Sequence, residues 1–223
     1  MSDSFSKRIT VVSAGLSQPS STRLLADRLA EASRAFLVEE GEGVEVTTIE
    51  LRDHAAAIAN NLVTGFPSPA LAEAIDAVSS ADGLIVVTPI FNASYNGLFK
   101  SFFDVLDSDA LAGTPVLLAA TGGSARHSLA LEHALRPLFS YLHARTVPTA
   151  VYAASEDWGS AGERDGDLML RIGRAAHEFA ELVARYSSPR ASGDTVEPRL
   201  TAATGELFVV PFEQQLANLR GRG

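Results

Sequence analysis

The chain contains no cysteine, which excludes disulfides, thiolate zinc sites, iron–sulfur clusters and cysteine nucleophiles together. Cations are in the minority: 18 Lys and Arg stand against 27 Asp and Glu, a formal net charge of −9. With a sequence pI near 5.0, that balance argues against affinity for nucleic acid or for an anionic membrane surface. No segment is long and apolar enough to span a bilayer. Met1–Arg8 is polar, and the apolar run behind it, Ile9–Ala14, is too short for a signal-peptide core, so a cytoplasmic location is expected. Glycine is missing where a dinucleotide fingerprint needs it. The first loop holds only Gly15 rather than G-x-G-x-x-G, and no Gly-Lys-Ser/Thr follows for a Walker loop. Gly122–Arg126 reads G-G-S-A-R and not G-x-S-x-G, so a hydrolase elbow is unsupported. His127, His133 and His143 lack the i, i+4 spacing of a helical zinc site, and no metal is expected.

What is present is 223 residues, 46% hydrophobic and 20% charged, enough for one domain with a full core and an extension. Ile9–Ser13 is a β-branched run followed by a polar loop, and reads as a first strand. Leu25, Leu29, Ala32 and Phe36 then recur at the helical period, with Ser20 or Ser21 as a natural N-cap. Val44–Leu51 alternates as a second strand, whereas Arg52–Ser68 shows no period and reads as an irregular connection. Pro69 opens a helix that buries Leu71, Ile75 and Val78. Gly83–Thr88 and Pro115–Thr121 are apolar throughout, the pattern of central parallel strands covered on both faces. Helices are expected at about Asn96–Leu106, Ser128–Leu142 and Asp165–Arg185, and a fifth strand at Thr146–Tyr152. The alternation predicts a doubly wound, five-stranded parallel sheet with helices on both faces and ligands at the carboxyl ends of the strands. Ser187–Thr204 is a linker by composition, followed by an apolar run Glu206–Phe212 and a short helix at Gln214–Arg222. The organisation read is therefore a domain at 1–186 and a linker with extension at 187–223.

Three segments should meet at the carboxyl edge: Ser13–Thr22, Thr88–Lys100 and Thr121–His127. The first is rich in hydroxyls and runs into a helix N-terminus, which is either an ordinary capped turn or an anion cradle. Arg23 would add charge there. In the second, Pro89 stiffens the strand exit, Phe91, Asn92 and Ser94 can wrap a planar ring, and Gly97 permits close approach. Lys100 and Asp104 read as a surface pair, and Phe102 and Phe103 as core. In the third, Gly122 and Gly123 let backbone amides face a ligand, or serve only a tight turn.

The run Thr88-Pro89-Ile90-Phe91-Asn92-Ala93-Ser94 with Gly97, Lys100 and Asp104 resembles the T-P-x-[YF]-x-x-S-x-x-G-x-x-K-x-x-x-D signature of NADPH-dependent FMN reductases of flavodoxin-like fold. Ala120-Thr121-Gly122-Gly123-Ser124, His127 and Ala134-Leu135-Arg136-Pro137-Leu138 resemble the A-T-G-G-[ST]-x-x-H and A-L-[KR]-P runs of the branch that supplies reduced flavin to two-component monooxygenases. The likeness covers roughly Ile9–Tyr152, and the first loop departs from it in lacking the compact G-S-x-R spelling.

The resemblance implies a flavodoxin-like α/β sheet in the order 2-1-3-4-5. It implies FMN bound along the first loop (Ser13, Gly15, and the phosphate on Ser17, Ser20, Ser21 and Thr22). Pro89, Ile90, Phe91, Asn92 and Ser94 would lie beside ring and ribityl chain, and Thr121, Gly122, Gly123 and Ser124 at the pyrimidine edge. Arg126 or His127 would meet the phosphates of NADPH (or NADH), and no side chain need act as acid or base. It further implies a homodimer or homotetramer, with Leu207–Phe212 suited to a subunit contact, and a flavin-dependent monooxygenase as recipient of reduced FMN. Three other readings remain open on the residues alone: an FMN-retaining quinone, azo or metal-oxyanion reductase, a flavodoxin-type electron carrier, and a non-enzymatic regulator that senses flavin.

Overall fold

A computed structural model describes residues 6–158 and 163–186. The expected linker, apolar run and short helix beyond Ser187 lie outside the described residues. The chain runs β1 (Lys7–Ser13), α1 (Ser21–Glu39), β2 (Val44–Glu50), α2 (Ala55–Thr64), α3 (Pro69–Ser79), β3 (Gly83–Phe91), β4 (Ser94–Tyr95), α4 (Gly97–Asp104), β5 (Pro115–Gly122), α5 (Arg136–Tyr141), β6 (Arg145–Thr146), β7 (Val151–Ala154) and α6 (Glu163–Arg185). All pairings along the main sheet are parallel, in the order β2-β1-β3-β5-β6.

Period-2 alternation sends each strand's side chains to two cores. Val12, Val86 and Leu118 face α2 to α5, packing on Ile58, Leu71, Phe102 and Phe139. Val11, Ile85, Val87 and Leu117 face α1 and α6, packing on Leu25, Leu29, Ile172 and Phe179. Both phenylalanines expected in the core, Phe102 and Phe103, are there, together with Phe99. Each such ring contributes about 1.5–3 kcal/mol by leaving water. No helix among the described residues is long and apolar enough to cross a membrane.

Three expectations need correction. The sheet is not five strands in the order 2-1-3-4-5: the described residues form seven strands, because β4 forms an antiparallel hairpin on β3 and the outermost strand is two pieces. β6 pairs with Pro115–Val116 and β7 with Ala119–Gly122 of β5. A single strand over Thr146–Tyr152 would run through Pro148, which has no N–H to give a ladder. Side chains satisfy the gap: Arg136 donates to the carbonyls of Val147 and Pro148 at 3.0 Å each, and Glu178 accepts from Thr149 N at 2.8 Å.

Second, Arg52–Ser68 is not irregular. It holds a 3₁₀ turn (Leu51–His54) and α2. Alanines at 55, 56, 57 and 59 favour helix without marking a face, and only Ile58 and Asn61 of α2 are buried, so no period shows. Third, the helix expected at Ser128–Leu142 contains a π-helical turn at Leu131–Leu135 before α5. The wider turn shifts the register, so Phe139 rather than Leu138 is fully buried, while Leu131, Leu135 and Leu142 stay inside.

Candidate active site

The carboxyl ends of β1, β3 and β5 bring the three expected segments together around one cleft of about 780 Å³. It lies where the chain winds to opposite sides of β1 and β3, the ligand position of doubly wound sheets. Of the expected site residues, Ser17, Ser20, Ser21, Thr22, Pro89, Ile90, Phe91, Thr121, Gly122 and Gly123 line it. Among the described residues, none that lines it carries a charged or titratable side chain.

The first wall is the N-terminus of α1. Ser20 is extended and caps the helix, its Oγ accepting from Arg23 N at 3.2 Å. The first-turn amides of Ser21 and Thr22 have no intrahelical acceptor, and no acid occupies that turn, so their dipoles favour an anion. Gly15 is required by this cap, since a Cβ there would lie 2.1 Å from Ser20 Oγ. Thr22 is buried and shares a 2.8 Å hydrogen bond with Thr121, tying the first wall to β5. Arg23 does not offer free charge. It pairs with Asp27 at 2.7 Å and Glu50 at 2.6 Å, and the hydrogen bond to Asp27 chiefly holds its pKa above the ordinary value. Arg52 likewise pairs with Glu50 at 2.6 Å and donates to Ser17 O at 2.9 Å.

The second wall is the β3–β4 hairpin. Phe91 pairs with Ser94 across the two-residue turn Asn92-Ala93, whose φ values are +50° and +67°. Positive φ at both positions matches the right-handed strand twist and carries steric strain at a residue with a Cβ. Pro89, Ile90 and Phe91 form the apolar face, with Phe91 49% exposed at the rim. Asn92 and Ser94 sit on the turn and are not lining residues. Lys100 and Asp104 form the expected surface pair.

The third wall is the end of β5. Gly122 makes room for Tyr152, whose Oη a Cβ would meet at 2.0 Å and which donates to Ser124 O at 2.9 Å. Burial first, then the Asp157 carboxylate, push the Tyr152 phenol above its ordinary pKa, so it stays a donor. Gly123 has nothing within 4 Å of where its Cβ would point, and it lines the cleft. Neither packing nor a positive φ accounts for that glycine, and its bare backbone leaves room for a ligand to approach.

Ser13, Gly15, Ser124, Arg126 and His127 surround the cleft without lining it. Ser13 is buried beneath, its Oγ unpartnered, and Arg126 and His127 lie on a 3₁₀ turn, Ala125–His127, just outside. Sequence reasoning missed Leu16, Pro19 and Leu24, and a fourth segment, Ser155 with Trp158. That turn follows β7, and the rule that ligands sit at carboxyl ends would have pointed to it. It is clamped by Asp157, which accepts from Ala154 N at 2.7 Å and from Arg171 at 3.1 Å.

An open cleft with an uncharged, hydroxyl-lined helix N-terminus at one end, apolar walls at Phe91 and Trp158, and a bare glycine backbone opposite suits a phosphorylated aromatic nucleotide. FMN has this form, and the residues present fit it. The architecture defines a doubly wound nucleotide-binding protein. A solved flavodoxin, a WrbA-like protein from Agrobacterium tumefaciens, shares the fold at a TM-score of 0.56 and 18% identity, covering 81% of this chain and all of that one.

Residues 7–159 match the NADPH-dependent FMN reductase family, and the chain belongs to it. It is similar to an FMN reductase (NADPH) of Pseudomonas aeruginosa, 40% identical over 78% of this chain and 91% of that protein. It is also similar to an NADH-dependent FMN reductase, SfnF, of Pseudomonas fluorescens, 39% identical over 82% of this chain and 95% of that protein. An oxidoreductase structure from Corynebacterium diphtheriae is 49% identical, with a TM-score of 0.79 over 82% of this chain and 99% of that one. The protein is an oxidoreductase of the FMN reductase type, working with FMN and NAD(P)H.

Proposed function

We propose that the protein takes FMN as an exchanging substrate and delivers the reduced flavin to a partner flavin-dependent monooxygenase. FMN supplies the ring that accepts a hydride from the nicotinamide of NAD(P)H, and solvent supplies the balancing proton. The chain's own residues bind, orient and exclude water. Ser17, Ser20, Ser21 and Thr22 receive the phosphate with the first amides of α1. Pro89, Ile90 and Phe91 form the wall beside the ring. Thr121, Gly122 and Gly123 offer backbone and hydroxyl partners to its polar edge. Residues 1–186 carry all of these groups.

The observation that carries this reading is the uncharged lining of the cleft. Phosphate is met by amides and hydroxyls alone, because Arg23 and Arg52 are held by Asp27 and Glu50. Without a free guanidinium fork the affinity stays modest, which suits a flavin that must leave after reduction. Among the described residues the lining holds no carboxylate, imidazole or amine to serve as general base or to activate its hydroxyls, so the acceptor's own ring does the chemistry.

The test is NADPH oxidation, followed at near-ultraviolet wavelengths, with and without added FMN. Saturable dependence on added FMN, in protein purified without yellow colour, is the expected result. Turnover that ignores added FMN and needs a quinone or dye would overturn the exchange reading.

A further inference from the structure

Asn96 does not line the cleft, yet it ties two of the cleft's walls together. It is 3% exposed. Its Oδ1 accepts from Phe99 N at 2.7 Å, capping α4, and its Nδ2 donates to Ala14 O at 2.7 Å, 82 residues away in sequence. One partner can only donate and the other can only accept, which fixes the amide's orientation. Its own N–H donates to Thr88 Oγ1 at 3.3 Å, so it also closes the base of the hairpin that carries Ile90 and Phe91. Ala14 is fully buried, and its N–H donates to Val87 O at 2.9 Å. Both backbone groups of the residue that leads into Gly15 are therefore held from the β3 side.

We propose that Asn96 is a positioning residue for the flavin: its carboxamide sets the separation between the loop after β1 and the β3–β4 hairpin. Two functions are fused in one side chain, and substitution separates them. Asp and Ser cap a helix about as well as Asn does. Aspartate, however, presents a second acceptor to the Ala14 carbonyl, and serine is too short to reach it. Either substitution keeps the cap and cuts the bridge. The strained turn Asn92-Ala93 makes the bridge necessary, because a hairpin with positive φ at a residue bearing a Cβ holds its shape only when its ends are fixed.

The experiment compares Asn96→Ser and Asn96→Asp with Ser68→Ala, which removes the cap of α3 (Oγ to Leu71 N, 3.4 Å) and is not among the cleft's lining residues. Thermal midpoint of the flavin-free protein and FMN dissociation constant, the latter by quenching of flavin fluorescence, are read for each. Neither depends on turnover. We expect both Asn96 variants to weaken FMN binding by about tenfold while Ser68→Ala leaves it within twofold at an equal or larger fall in midpoint. FMN binding at the parental level in Asn96→Ser, or a loss in Ser68→Ala that matches the Asn96 variants at equal midpoint, would overturn the assignment. In turnover, the bridge predicts a raised KM for FMN with kcat little changed in Asn96→Ser. A fall in kcat at unchanged KM would also overturn it.

Discussion

Two kinds of backbone face each other across the cleft. Gly15 and Gly122 stand at ordinary φ and are glycines because space is short: a Cβ would meet Ser20 Oγ at 2.1 Å or Tyr152 Oη at 2.0 Å. The hairpin opposite needs positive φ at two successive positions and has no glycine at either, only Asn92 and Ala93. Glycine here serves close approach, while conformational demand falls on Asn92, which tolerates it, and on Ala93, which meets it poorly. The glycine walls are held by packing around a polar atom that organises the wall. The hairpin wall is held against strain by its anchors.

Adding a methyl group should therefore hurt one side and removing one should help the other. Gly122→Ala should show the largest effect, about 1–3 kcal/mol lost to overpacking, since the Tyr152 ring must swing away and surrender its bond to Ser124. Denaturant midpoints would measure it, and a parental midpoint would break the comparison. Ala93→Gly should act in the opposite direction, gaining up to about 1 kcal/mol by relieving the left-handed conformation, net of glycine's added unfolded-state freedom. A destabilised Ala93→Gly protein would show that the hairpin is not strained.

The smallest effect is a pH dependence at the glycine wall. The Tyr152 pKa is raised in the folded protein, first by burial and then by Asp157. Its contribution is fully present below the unfolded phenol's value near 10 and is lost as pH rises through the folded value. Thermal midpoints should thus fall more steeply above pH 10 in the parent than in Tyr152→Phe. Equal slopes would remove this titration from the account.

Most of the frame was legible from pattern. β1, β2, β3 and β5 and the helices α1, α3 and α6 stand close to where β-branched runs, apolar blocks and 3.6-residue spacing put them. α2 escaped because alanine signals helix without signalling a face. The broken outer strand escaped because the side chains that replace its ladder, the donor Arg136 and the acceptor Glu178, are 12 and 29 residues from the groups they serve. At the site, the three segments were legible from the carboxyl-end rule. The charge state of the first wall was not, because Arg23 looks free in sequence and is neutralised partly by Glu50, 27 residues on. Asn96 was visible only as a helix start, since its second bond crosses 82 residues.

The uncharged lining has one more consequence. Leu16, Ser17, Ile90, Phe91, Gly123 and Trp158 look the same to a ligand at pH 6 as at pH 9, and so do the other residues along the cleft. Among the described residues, the lining therefore adds no titrating side chain of its own to the binding of a ligand between those values. On the proposed exchange of FMN, turnover then follows the supply of the two dissolved nucleotides, and the chain meters reductant.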